Sequence, residues 1–94
     1  MRKEANCMSY SIYKYPLRIS QFLPQETKIL KFGLQNDSIV FWALVPLTDS
    51  KGEKEFRFQT FGTGWSIPTE KYIYVDTVQE PEGLVWHIFQ EKDA

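Results

Sequence analysis

Apolar residues in this chain recur at every second position, and those that do so are mostly β-branched or aromatic. That spacing suits a strand, whose side chains alternate between two faces, and not a helix, whose apolar stripe returns every three to four residues. Between Lys28 and Gln35, Leu30, Phe32 and Leu34 alternate with Lys31, Gly33 and Gln35, the pattern of a sheet buried on one face. Ser38 to Val45 behaves differently. Ile39, Phe41, Ala43 and Val45 fall on one face and Val40, Trp42 and Leu44 on the other, so neither side is fitted to bulk water. This segment reads as a central strand, with its second face left for another layer, a ligand pocket or a partner chain.

Punctuation places the other strands. Tyr10 to Tyr15 forms one that Pro16 stops, and Leu17 to Leu23 continues it beyond a bend as far as the turn Pro24-Gln25-Glu26. Asn36-Asp37 lies between two apolar runs, and both residue types accept left-handed backbone, so a tight hairpin is expected there. Phe56 to Phe61 runs into Gly62-Thr63-Gly64. Tyr72 to Val78 sets Ile73 and Val75 against Tyr72, Tyr74 and Asp76, and Leu84 to Phe89 sets Leu84, Trp86 and Ile88 against Val85, His87 and Phe89. The charged stretch around Asp49-Ser50-Lys51-Gly52 is a solvated loop and Glu80-Pro81-Glu82-Gly83 a turn. The expected fold is all-β, a compact twisted antiparallel sheet of about six strands partly closed as a small barrel or a sandwich. The stretches 21–27 and 66–71 leave room for a short helix.

A chain of 94 residues makes one domain, expected over residues 9–94 behind a flexible tail at 1–8. Seven Phe, five Tyr and three Trp can furnish the core that so small a domain needs. The single Cys rules out an internal disulfide, and with only one His no thiolate metal site can be assembled, so no cofactor is expected and a reducing compartment fits. Eleven Lys and Arg against twelve Asp and Glu give no polyelectrolyte footprint, which leaves nucleic-acid binding unsupported. The longest uninterrupted apolar stretch, Ile39 to Val45, is far short of the roughly 20 residues of a membrane-spanning helix, and the charged start of the chain has no signal-peptide core. A soluble, unexported protein is the expectation.

Few residues carry chemistry. Gly62-Thr63-Gly64 offers backbone N–H groups to an anion, but lacks the Gly-Lys-Ser/Thr ending of a phosphate-binding loop and reads first as a turn. His87 is the sole imidazole, and its apolar neighbours suit a hydrogen-bonded histidine on a half-buried strand better than a catalytic base. Asp37, Asp49 and Asp76 are too scattered for an acid/base pair and read as solvated. Ser38 and Ser66 have no nucleophile signature, Cys7 has no activating surroundings, and Asn36-Asp37-Ser38 matches a glycosylation pattern without a secretory context. Tyr13, Tyr15, Trp42 and Trp86 with Arg57 form the more suggestive set, because flat rings stack on aromatics and a guanidinium forks to phosphate. Arg57, between Phe56 and Phe58, points away from them, either into solvent or into a pocket on the second face.

The segments Ile12-Tyr13-Lys14-Tyr15-Pro16-Leu17, Trp42-Ala43-Leu44-Val45, Phe61-Gly62-Thr63-Gly64 and Leu84-Val85-Trp86-His87-Ile88-Phe89 occur here in an order and spacing that resemble a family of short uncharacterised proteins frequent in tailed-phage and prophage genomes. The resemblance runs from Ser9 to Gln90. It implies a phage origin, a β-rich domain and residence in the cytoplasm of the infected bacterial host, and it brings no catalytic residues. By genome-level analogy it implies an accessory protein that counters host defence. The expected partner is then a host defence protein or a nucleotide-derived small molecule, and exposed strand edges make a homo-oligomer easy. The ligand- or partner-binding candidates are Tyr13, Tyr15, Trp42, Arg57, Gly62, Thr63, Gly64, Trp86 and His87. The alternatives are a structural or morphogenetic phage protein and, behind it, a small hydrolase using His87.

Overall fold

Asn36 and Asp37 both take left-handed backbone, with φ of 51° and 65°, the pair of conformations that a two-residue type I′ hairpin requires. The computed structural model describes residues 9–47 and 51–93, and this hairpin joins two of the seven strands there, β3 (Lys28–Gln35) and β4 (Ser38–Pro46). The other edge of β4 pairs with β1 (Tyr10–Pro16), so the first sheet has the antiparallel order β1-β4-β3. The strand with two apolar faces is indeed central. The expected tail at 1–8 and the loop tip at Asp49-Ser50 lie outside the described residues.

Four further strands, β2 (Ser20–Pro24), β5 (Glu53–Gly62), β6 (Tyr72–Gln79) and β7 (Val85–Glu91), make a second antiparallel sheet in the order β2-β5-β7-β6. The long β5 divides its length: Glu53–Arg57 pairs with β2 and Phe58–Gly62 with β7. The segment expected to prolong the first strand is therefore a strand of its own in the other sheet. Pro16 ends β1, Leu17 N–H still bonds to Ile39 O at 3.0 Å, and by Ile19 the chain has crossed over, its carbonyl accepting from Phe58 N–H at 3.0 Å. No helix occurs among the described residues. Residues 21–24 are held in the ladder with β5, and the turn at Gly62–Trp65 and the Pro68–Lys71 turn take up the chain that a second helix would have used.

The two sheets pack face to face and do not close into a barrel, so of the two expected closures the sandwich is the one formed. Phe32, Phe41, Ala43 and Val45 from the first sheet meet Leu23, Phe56, Phe58, Val78 and Ile88 from the second. Phe32, Phe41 and Phe58 form a triangle with ring centroids 5.3–5.5 Å apart, a separation at which tilted aromatic pairs attract.

Two bulges break the period-two pattern. In β3 the register shifts between Ile29 and Lys31, which turns Ile29 toward the core and leaves Leu30 half exposed, although the alternation puts Leu30 inside. In β6 it shifts between Tyr74 and Asp76. Val75 packs against the core while Ile73 stays exposed, and the Asp76 carboxylate is not solvated as expected. It accepts the main-chain N–H of Phe32 at 2.9 Å and that of Thr77 at 2.8 Å. A bulge re-aims a side chain in this way, and here it ties the β6 edge of one sheet to the β3 edge of the other.

Candidate functional site

The outer face of the first sheet follows from its register. Trp42 lies between Lys14 on β1 and Lys31 on β3, and Leu44 between Ile12 and Lys28. An ideal Cβ on Gly33 would stand only 3.1 Å from the six-membered ring of Trp42. The edge of the indole's six-membered ring thus packs against Gly33, and Trp42 is half-buried on the outer face of the sheet. Lys14 Nζ donates to the neutral Gln35 amide, and neither Lys28 nor Lys31 is ion-paired among the described residues. The outward positions of these three strands carry no Asp or Glu. A protein of net charge −1 therefore presents one face with three uncompensated ammonium groups around an aromatic plane.

Tyr13 and Tyr15, expected to share this site, lie on the opposite side of β1. They face Ala43 and Phe41, and Tyr15 packs on Phe41 at 5.4 Å. Burial, and then the neighbouring Tyr13, push the Tyr15 hydroxyl pKa up. Both lie on the side of β1 opposite Trp42, where Tyr15 packs against the core and Tyr13 stays half exposed.

Arg57 sits on the other sheet. It points away from Phe56 and Phe58 as its strand position dictates, into an open charged groove shared with Lys54, Glu70 and Lys71. Its guanidinium is already occupied, with Nη1 3.0 Å from Glu55 and Nε 2.8 Å from Glu91. Hydrogen bonds from Ser20 and then Arg57 hold the Glu55 carboxyl below its usual range, and Glu55, followed by Glu91, raises the Arg57 pKa. This cluster is internally neutralised, so Arg57 and Trp42 do not form one site.

Gly62, Thr63, Gly64, Trp86 and His87 do come together, at the end of β7. Trp65 N–H bonds to Gly62 O at 3.1 Å and closes a turn in which Gly64 has φ of 89°. On one face of β7, Thr63 Oγ1 is 2.8 Å from His87 Nε2, and Thr77 Oγ1 is 3.1 Å from Nδ1 and 2.7 Å from the Tyr74 hydroxyl. Outward from this chain Phe61, Tyr72, Tyr74 and Phe89 form a second aromatic cluster. On the other face Trp86 meets Trp65 nearly at right angles, 83°, with centroids 6.0 Å apart, and its Nε1–H donates to Glu80 at 2.7 Å. No group of three or more potential metal ligands occurs among the described residues.

The residues missed by sequence reading are those whose role depends on pairing across strands. Lys14, Lys28 and Lys31 are dispersed in sequence, and only the register collects them. Trp65 lies in an irregular stretch. Its signal is Gly62, where a Cβ would come within 2.8 Å of the Trp65 indole, but that contact is invisible before the turn is built.

Comparison with known proteins adds a family without a chemistry. The chain belongs to a family described as a domain of unknown function (DUF7352), whose model matches residues 8–94. No curated protein and no solved structure matches it.

Proposed function

Starting from a family with no assigned activity, we propose that this chain is a non-catalytic binding protein that holds a planar anionic ligand of the nucleotide type on the outer face of its first sheet. The observation that carries the reading is Trp42 packed against Gly33 with Lys14 and Lys31 on either side and no Asp or Glu at the outward positions of β1, β3 and β4. A base stacked on an aromatic side chain gains about 1–3 kcal/mol, and the half-buried Trp42 indole keeps part of its surface open on that face. Neighbouring strands are about 4.8 Å apart, so a phosphate attached to that base lies within reach of a lysine on each side. The biological setting comes from the resemblance to short tailed-phage and prophage proteins: sequestration of a nucleotide signal of host defence, in the cytoplasm of the infected bacterium. A defence protein with an acidic surface would engage the same lysines and is the other partner in that setting.

Calorimetric titration with cyclic dinucleotides and mononucleotides tests this. Saturable binding is expected, weakened at least tenfold by Trp42→Ala and by Lys14→Glu/Lys31→Glu with the circular dichroism spectrum unchanged, and unaffected by Arg57→Ala. Absence of binding at millimolar ligand, or equal binding by the lysine variant, would overturn it.

A hydrolase is the second reading, and one observation favours it: Thr63 Oγ1 lies within hydrogen-bond distance of His87 Nε2, the nucleophile–base contact such chemistry needs. The far side of the ring faces the Thr77 hydroxyl, where the Ser-His-Asp pattern places a carboxylate that stabilises the imidazolium. That difference supports binding over hydrolysis. Esterase activity that His87→Ala removes would reverse the ranking.

A further inference from the structure

A strand at the edge of an antiparallel sheet turns the N–H and C=O of every second residue away from its neighbour. In β1 the two hydrogen bonds that flank the strand fix which residues these are. Leu47 N–H donates to Ser9 O at 2.8 Å and Leu17 N–H to Ile39 O at 3.0 Å, and the β1–β4 register between them has no shift. The odd residues from Ser9 to Leu17 therefore bond to β4, while Tyr10, Ile12, Lys14 and Pro16 turn their main-chain groups to the free edge. Among the described residues nothing accepts the N–H of Tyr10, Ile12 or Lys14 on that side. Pro16 falls where its missing N–H costs the ladder nothing, the place a proline takes on an edge strand.

The other three sheet edges are guarded. β3 has a bulge, and its outward Phe32 N–H is taken by Asp76. β6 carries the second bulge and supplies that carboxylate. β2 is five residues long and ends at Pro24. β1, by contrast, runs for seven residues without a bulge. A lysine commonly protects such an edge by projecting into solvent, but Lys14 Nζ is drawn back across its own sheet to Gln35 on β3. Ile12 and Tyr13, at the middle of the strand and on its two faces, are left 56% and 47% exposed.

We infer that β1 pairs edge to edge with β1 of a second copy of this chain, antiparallel about a two-fold axis at Tyr13, joining two three-stranded sheets into one of six. Tyr13 is the middle residue of Tyr10–Pro16, so an axis there pairs the whole strand with itself. Ile12 then lies opposite Lys14 of the second copy, and the two exchange both main-chain hydrogen bonds. Tyr10 N–H meets the Pro16 carbonyl, an arrangement that asks no donor of the proline. The two Tyr13 rings face each other at a non-hydrogen-bonded position, where cross-strand side chains are closest and aromatic pairs attract. An axis at Lys14 would oppose two ammonium groups, and one at Ile12 would leave Tyr15 and Pro16 opposite residues outside β1. The contact is isologous and closes as a dimer. It does not depend on whether the Trp42 face takes a ligand.

Sedimentation velocity across a concentration series, without added ligand, should show a monomer–dimer equilibrium. Ile12→Pro removes only an outward N–H and should weaken the dimer at least tenfold with the circular dichroism spectrum unchanged. Cross-linking tests the axis even if that variant fails to fold. In a Cys7→Ser background, Tyr13→Cys places two thiols on residues with Cα atoms about 4.5 Å apart, close enough for a disulfide, and oxidation should trap a covalent dimer. Ile12→Cys places them on a diagonal about 7–8 Å apart and should not. A protein that stays monomeric at millimolar concentration, a dimer that survives Ile12→Pro in the folded state, or cross-linking as fast through Ile12→Cys as through Tyr13→Cys would overturn the inference.

Discussion

Asp76 joins the edges of the two sheets, and removing it should cost more stability than any other single polar change in the described residues. Its carboxylate accepts the N–H of Phe32 at 2.9 Å, and Phe32 is only 2% exposed. That N–H points away from β4, so no ladder partner can replace the lost acceptor. Hydrogen bonds to a charged group contribute about 1.5–3 kcal/mol, and a buried donor left without a partner costs about 1–3 kcal/mol. The two figures describe the same event from different reference states, so Asp76→Ala should lose about 2 kcal/mol. Near 4–8 °C per kcal/mol for a domain of this size, the melting midpoint falls by roughly 8–16 °C. Asp76→Asn keeps a carbonyl acceptor of the same reach and should lose about half as much. Urea unfolding followed by tryptophan fluorescence gives both numbers. An Asp76→Ala protein within 0.5 kcal/mol of the parent, or an Asn variant as damaged as the Ala one, would refute the idea that this carboxylate pins the sheets together.

Other perturbations have defined outcomes. Ile88 is fully buried between the sheets, so Ile88→Ala should destabilise by about 2–5 kcal/mol and Ile88→Val by about 0.5–1.5 kcal/mol in the same assay. Asp37→Gly should stabilise by about 0.5–1 kcal/mol, because Asp37 holds φ of 65° at the hairpin position where glycine carries no Cβ penalty; a lower urea midpoint would contradict the turn assignment. The depressed pKa of Glu55 means that its ionised form is favoured by folding. Its contribution is therefore present above the ordinary carboxylate range and is lost as pH falls through the lower folded value. Stability measured from pH 7 to pH 3 should consequently drop less in Ser20→Ala and Arg57→Ala than in the parent, and an unchanged slope would count against the Ser20–Glu55–Arg57 contacts.

The strands were legible because alternation survives in any chain whose sheet has one wet face. Phe56 and Phe58 against Arg57 and Gln59, and Ile88 against His87 and Phe89, stand where that rule puts them. It failed at Leu30 and Ile73, which stay exposed because a bulge inserts one residue and inverts the pattern on one side. Nothing in a single strand's composition announces a bulge, since its cause lies in the partner: here the Asp76 carboxylate has to reach Phe32 N–H on another sheet. The crossing of the chain between Pro16 and Ser20 was hidden for a similar reason, because an extended segment looks the same whichever sheet it joins.

The candidate site was legible in part. Gly62, Thr63, Trp86 and His87 gather at one end of the second sheet, while Trp42 stands apart on the outer face of the first. Tyr13, Tyr15 and Arg57 were grouped with Trp42 on residue type alone, and sheet membership and facing separate them. The charge of the Trp42 face could not be read from composition at all. Lys14, Lys28 and Lys31 are balanced in the sum by carboxylates on the second sheet and its turns, and net charge carries no information about which face a residue occupies.

Heteronuclear NMR titration with a cyclic dinucleotide tests the central claim most directly, because it reports where a ligand sits as well as whether it binds. The backbone resonances of Lys14, Lys31 and Gly33 and the indole of Trp42 should shift together and saturate at one constant, with Gly62 to Trp65 and Arg57 unmoved. No shift at millimolar ligand, or shifts centred on Arg57 or on the Thr63–His87 turn while the Trp42 face stays silent, would contradict the account.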